Sequence, residues 1–186
     1  DIENLRGKKV LLRLDLNIPI IDGKLIDDFR IKKSLSTLNF LRDNGAKTII
    51  ISHIESVETK SLKAVCEHLS KSFNISFFKD YFNEETEKAI SEMSEGDFVL
   101  LENLRIYEGE EKNSEHFARQ LAPLGEIYVN EAFSVSHRKH ASIVGVPKFL
   151  PSYAGILFEE EVVNLSRAFI PDHPFLCILG GEKFET

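Results

Sequence analysis

The stretch LLRLDLNIPI, residues 11–20, decides how this chain is read. Its apolar run suits a strand buried in a core, yet Arg13, Asp15 and Asn17 interrupt it at strict alternation. Side chains two apart on a strand share a face. Three polar groups therefore line one face, while Leu12, Leu14 and Leu16 line the other. One reading is an amphipathic surface strand with a solvated face. The other is a buried strand whose polar face lines a site.

Strand and helix patterns alternate along the rest of the chain. KKVLLRLDL (8–16) reads as a strand, and Asp22-Gly23 turns a small hairpin between apolar residues 18–26. Asp27 or Asp28 caps a helix with Ile31, Leu35, Leu38 and Leu41 at helical spacing, and Gly45 stops it. KTIIIS (47–52) is a continuous apolar strand of the kind covered on both faces. Helices are expected over 61–72, 83–93, 114–122 and 153–169, and strands over 75–80, 97–103, 126–132 and 175–181. Strands alternating with helices predict an open parallel sheet with helices on both faces, a Rossmann-like three-layer α/β sandwich.

At 186 residues the chain can bury one sizeable core and part of a second. A net charge of −7 argues against nucleic acid and anionic membrane as partners, so any anionic ligand must be met by a local basic pocket. No apolar run of membrane-spanning length and no signal pattern is present, and the chain reads as cytoplasmic. Cys66 and Cys177 lack metal-type spacing and read as reduced core residues.

Ligands of open α/β sheets bind at the carboxyl edge of the strands. The expected strand ends carry Asp15 and Asn17, then Ser52-His53, Glu102-Asn103-Leu104-Arg105, and Asn130-Glu131. No dinucleotide fingerprint or Walker loop follows a strand. No metal site is expected: His137 and His140 enclose Arg138 and Lys139, which would repel a cation. Arg30 near a helix start reads either as a surface arginine pairing with Asp27 or Asp28, or as part of a site. SHRKH (136–140) reads likewise as a solvated loop or as part of a site. Taken together, Arg30, His53, Arg105 and Arg138 would make a basin suited to a phosphate and a carboxylate, whose oxygens the arginine fork matches in pairs.

With those residues in view, the chain resembles the phosphoglycerate kinase family. RLDLN, DDFRI, ISH, LLENLR, GEEKN, YVNEAFSVSHRKHAS, FLPSYAG and ILGGEK occur in its order and approximate spacing, from about residue 5 to the end. The resemblance implies reversible phosphoryl transfer between 1,3-bisphosphoglycerate and ADP, giving 3-phosphoglycerate and ATP. It covers the first of the family's two halves, the one that binds the glycerate. Residues 1–152 would be that domain, 153–170 the joining helix, and 171–186 the start of a domain that binds Mg-ATP or Mg-ADP.

Carried over by motif, Asp15 and Asn17 would meet the glycerate's hydroxyl and carboxyl groups. His53, Arg105 and Arg138 would hold the 3-phosphate. Arg30 and Lys183 would act on the transferring phosphoryl. Where the family usually reads SHLGRP this chain has SHIESV, so Glu55 and Ser56 stand in place of a glycine and a phosphate-binding arginine. The 186 residues alone are expected not to turn over. The full-length form is expected to be monomeric and the 186-residue piece to self-associate. A non-catalytic phosphoglycerate sensor is the alternative reading.

Overall fold

A computed structural model describes residues 4–56 and 59–178. The strands are β1 (Lys9–Arg13), β2 (Ile20–Ile21), β3 (Lys24–Leu25), β4 (Lys47–Ile51), β5 (Ile75–Phe78), β6 (Phe98–Leu101), β7 (Ile127–Asn130) and β8 (Ser152–Ala154). The α-helices are α1 (Phe29–Asp43), α2 (Lys63–Leu69), α3 (Glu84–Glu92), α4 (Glu108–Glu111), α5 (Glu115–Leu121) and α6 (Ile156–Ser166). Six strands form one sheet in the order β5-β6-β4-β1-β7-β8, with every neighbouring pair parallel.

Residues 11–13 of that stretch lie in the central strand β1, which is shorter than the 8–16 expected and leaves Asp15 and Asn17 beyond its end, and the solvated-face reading fails. Arg13 is 0% exposed. Alternation sorts the strand residues into two cores. Val10, Leu12, Leu14 and Leu16 pack with Ile31, Leu38 and Leu41 of α1 and with Val65 and Leu69 of α2. Leu11 packs on the opposite face with Ile90 of α3 and with Phe117 and Leu121 of α5. Neighbouring strands repeat the division, Ile50 and Leu100 on the first side, Ile49, Ile51, Val99 and Leu101 on the second. Both faces are covered, as a parallel sheet requires.

Local signals explain most boundaries. Asp22 and Gly23 both take positive φ, 50° and 70°, the geometry of a tight two-residue hairpin. Gly45, at φ +70°, ends the run after α1. Asn83 caps α3 by accepting from Thr86 N at 2.8 Å. At α1 the two aspartates divide the labour: Asp27 accepts from Phe29 N at 2.8 Å, while Asp28 pairs with Lys32 at 2.8 Å.

Four further expectations need correction. The helix expected over 61–72 is confined to Lys63–Leu69, because Glu102 takes Ser61 Oγ at 2.6 Å and Leu62 N at 2.7 Å and fixes its lead-in. The helix expected from residue 153 starts at Ile156, since Ser152–Ala154 pair with β7 as a sixth strand. A three-residue strand is too short to show a period of two. The strand expected over 175–181 is not formed at 175–178, where no strand among the described residues pairs with it; residues 179–181 lie outside the described residues, as does Lys183. In that segment Cys177 is exposed, so only Cys66 is a core cysteine. Among the described residues no helix is long and apolar enough to cross a membrane.

Register brings the strand ends together. Arg13 lies level with Ile51 and with Asn130, so the chain leaves β1, β4 and β7 at one edge. Beside β1 the strand order divides, towards β4, β6 and β5 on one side and β7 and β8 on the other. That division opens a crevice at the carboxyl edge.

Candidate functional site

Residues 14–17 carry β1 over this edge. Ser52 holds them there, accepting from Leu16 N at 2.9 Å and donating to Leu14 O at 2.8 Å. Asp15 then accepts from Arg30 Nη1, from Ser134 Oγ, and from Asn17 N at 3.2 Å. Arg30 therefore pairs with Asp15, not with Asp27 or Asp28. Asn17 Oδ1 accepts from Glu55 N at 2.8 Å. The carboxylate of Glu55 turns to Arg105 Nη1 at 3.1 Å, where the Glu111 carboxylate also binds.

Arg105 is aimed by Asn103, a fully buried residue at the end of β6. Asn103 Oδ1 accepts from Arg105 N at 3.0 Å and from Ile54 N at 3.1 Å. Its amide donates to Ile54 O at 2.9 Å and Lys60 O at 2.8 Å, fastening the segment after β4 to the turn after β6. The Arg105 side chain is only 9% exposed, and its Nε and Nη2 are buried without a partner among the described residues. Unsatisfied buried donors are rare in native proteins and call for a ligand or a water.

His53 lies behind this rim, 1% exposed, with Nδ1 at 3.1 Å from Arg13 Nη2. Burial first, then the charges of Arg13, Arg105, Arg138 and Arg30, push the imidazole down to about 2 from its ordinary 6.5. Those four arginines come from β1, α1, the turn after β6 and the loop after β7. Arg138 is half-buried and makes no ion pair among the described residues.

The structure thus brings Asp15, Asn17, Arg30, His53, Arg105 and Arg138 to one edge. A groove of about 410 Å³ between α1 and α6 includes Asp15, Arg30, Lys33 and Phe133 in its lining. A second, of about 430 Å³, is lined by Asn17, Glu55, Ser56 and the hairpin entry, Ile18 to Ile21. Like charges gathered this closely need counter-charges, and Asp15, Glu55 and Glu111 supply them. Glu131, read from sequence as another rim residue, is turned to structural use: its carboxylate accepts from Leu157 N at 3.0 Å and Phe158 N at 3.2 Å at the start of α6.

Arg13 joins the site as the polar-face reading of β1 anticipates, although sequence reasoning gives it no binding role; its signal is a charged residue inside an apolar central strand. Glu111 and Ser134 carry no such signal, because their contacts depend on side-chain directions that spacing does not encode. Among the described residues no group of three or more His, Cys, Asp or Glu side chains could hold a metal ion.

Comparison with known proteins agrees with this fold. The phosphoglycerate kinase family model matches residues 1–186. A curated phosphoglycerate kinase of Wolbachia is 47% identical over 194 residues, covering 100% of this chain and 49% of the relative. That of Dictyoglomus turgidum is 43% identical over 188 residues, covering 97% and 48%. The crystal structure of phosphoglycerate kinase from Pyrococcus horikoshii superposes with a TM-score of 0.81 at 32% identity, covering 89% of this chain and 44% of that one. The structure of phosphoglycerate kinase from Coxiella burnetii gives 0.80 at 34% identity. This chain spans about half the length of the curated relatives it matches. With its parallel sheet and its arginine-lined carboxyl edge, the chain belongs to the phosphoglycerate kinase family.

Proposed function

We propose that this chain is the glycerate-binding half of a phosphoglycerate kinase, holding 3-phosphoglycerate or 1,3-bisphosphoglycerate for phosphoryl transfer to and from ADP in glycolysis. The observation that carries the reading is the buried Arg105 side chain with unpartnered Nε and Nη2, at the sheet edge where Arg30 meets Asp15 and Arg13 meets His53. Arg105, with two unpartnered buried donors, and Arg138, unpaired among the described residues, suit the 3-phosphate together with His53. Asp15 and Asn17 suit the glycerate's hydroxyl and carboxyl oxygens. Arg30, held by Asp15 but 42% exposed, can still turn a face to a phosphoryl group.

Chemistry of this kind needs no covalent intermediate. The protein positions the reactants in line and offers fixed positive charge to oxygens whose charge grows during transfer. The division at residues 152 and 170, a nucleotide-binding second half that takes Mg-ATP or Mg-ADP, the role of Lys183 and a cytoplasmic location belong to the same proposal.

Calorimetric titration tests the reading. The chain is expected to bind 3-phosphoglycerate weakly and ADP or ATP hardly at all. Micromolar nucleotide binding without glycerate binding would overturn it.

A further inference from the structure

Arg13 is buried to 0% exposure, and its guanidinium is engaged on three sides. Nη1 donates to Leu14 O, Nε donates to Ser142 Oγ at 3.0 Å, and Nη2 lies 3.1 Å from His53 Nδ1. Ser142 is itself fixed, donating from Oγ to Glu110 Oε1 at 2.5 Å and from N to Glu110 Oε2 at 2.8 Å. Tyr128 OH donates to Ser142 O at 2.6 Å. The polarity of the chain is therefore settled: guanidinium to hydroxyl to carboxylate, with every donor matched to an acceptor.

A guanidinium has five donors and no acceptor. His53 Nδ1 must then supply a lone pair, which leaves the ring proton on Nε2. Nε2 donates to none of the described residues. We propose that Arg13 is a positioning residue that fixes His53 as the neutral Nε2–H tautomer, so that His53 meets the ligand's anion as a hydrogen-bond donor and not as a cation. The charges bearing on His53 come from every side of the basin: Arg13 from β1, Arg30 from α1, Arg105 from the turn after β6 and Arg138 from the loop after β7. All four oppose protonation, and the nearby acids Asp15, Glu55 and Glu111 are spent on Arg30 and Arg105. Positive charge at the site is thus left to the arginines, while His53 contributes direction. The tautomer assignment stands on the fold alone; the role towards an anion rests on the phosphoglycerate reading.

The test joins ligand-free nitrogen-15 NMR of the histidine ring with calorimetry. In the chain as it stands, His53 is expected to show one Nε2–H signature, unchanged between pH 5 and 8. In Arg13→Met it is expected to show mixed tautomers and a titration inside that range. Binding of 3-phosphoglycerate by the variant should be weaker than wild type by about tenfold at pH 8. That ratio should shrink at pH 6, where a freed imidazole gains charge. An Nδ1–H tautomer, or titration of wild-type His53 between pH 5 and 8, overturns the inference even if the variant fails to fold. So does a variant-to-wild-type ratio that stays constant with pH. Failure of 3-phosphoglycerate to bind wild type overturns the functional reading instead, and the NMR signature still decides the tautomer.

Discussion

Arg105 carries two carboxylates on one nitrogen and, among the described residues, no partner on the other two. Glu55 is 47% exposed and meets that nitrogen at 3.1 Å, so it is a screened and displaceable partner. An arriving phosphate must compete with it. Changing Glu55→Gln should therefore tighten 3-phosphoglycerate binding by about threefold to tenfold, a modest gain because the pair is half in water. Isothermal titration reads this directly; unchanged affinity would mean that Glu111 alone holds the arginine. His53 supplies a pH prediction of definite sign. Its folded value, about 2, lies below the ordinary 6.5, so between those values the unfolded chain binds more protons than the folded one. Stability is then undiminished above pH 6.5 and is lost progressively as pH falls towards 2. Replacing His53→Gln should flatten that part of the acid limb in urea melts taken at stepped pH. At this scale the sequence speaks through residue type. Asp15, Asn17 and Arg105 can be named because polar groups at strand ends have few other reasons to be there. The clamp on Arg105 cannot be, since whether Glu55 faces solvent or an arginine depends on the path of a loop.

Elements are legible where a period or a cap is long enough to register. The two faces of β1, the hairpin at Asp22-Gly23 and the capped helix α3 all follow from local rules. β8 does not, because three residues become a strand only when β7 lies beside them. The start of α6 shows the same dependence on distant partners. Glu131, 2% exposed, accepts from Leu157 N and Phe158 N, while Thr37 Oγ1 donates to it and accepts from Ile156 N at 3.2 Å. A carboxylate at a helix N-terminus satisfies free N–H groups and complements the dipole. Glycine is required next to it: a Cβ on Gly155 would stand 1.7 Å from Glu131 Oε2. Glu131→Gln keeps the size but turns an amide N–H₂ towards those donors. It should destabilise the fold by about 1–3 kcal/mol in chemical denaturation. Gly155→Ala, which must expel the carboxylate, should cost at least as much. A Gln variant as stable as wild type would show that α6 is held by packing, through contacts such as Phe133 on Phe158 at 5.3 Å, and not by its cap.

At the scale of the molecule, apolar surface is unevenly placed. The two cores on either side of the sheet are closed, yet α6 has no buried residue at all. Val162, Val163 and Leu165 are 43%, 48% and 51% exposed, and beyond them Phe169 and Ile170 are 86% and 90% exposed. An apolar strip of this kind marks an interaction surface. Its position fits a junction between halves, since α6 follows the last strand of the sheet and the curated relatives are about twice as long as the matched region. The architecture is readable because alternation of strand and helix is a whole-chain signal. That α6 leaves its apolar residues exposed is not, because nothing in the local pattern of 156–166 says whether the sheet covers them. Two expectations arise for the chain in solution. Alone, it should associate with itself as concentration rises, seen as a rising sedimentation coefficient. Mixed with a polypeptide covering the other half of one of the relatives, it should form a complex in place of self-association, and ATP should be made from 1,3-bisphosphoglycerate and ADP. Fully burying a leucine or phenylalanine contributes about 1.5–3 kcal/mol. The double change Leu165→Glu with Phe169→Glu should therefore weaken both associations by more than tenfold, while leaving 3-phosphoglycerate binding in place, because neither residue lies on the arginine-lined edge. Loss of glycerate binding in that variant would show that the strip and the basin are one surface. Unchanged association would place the contact elsewhere.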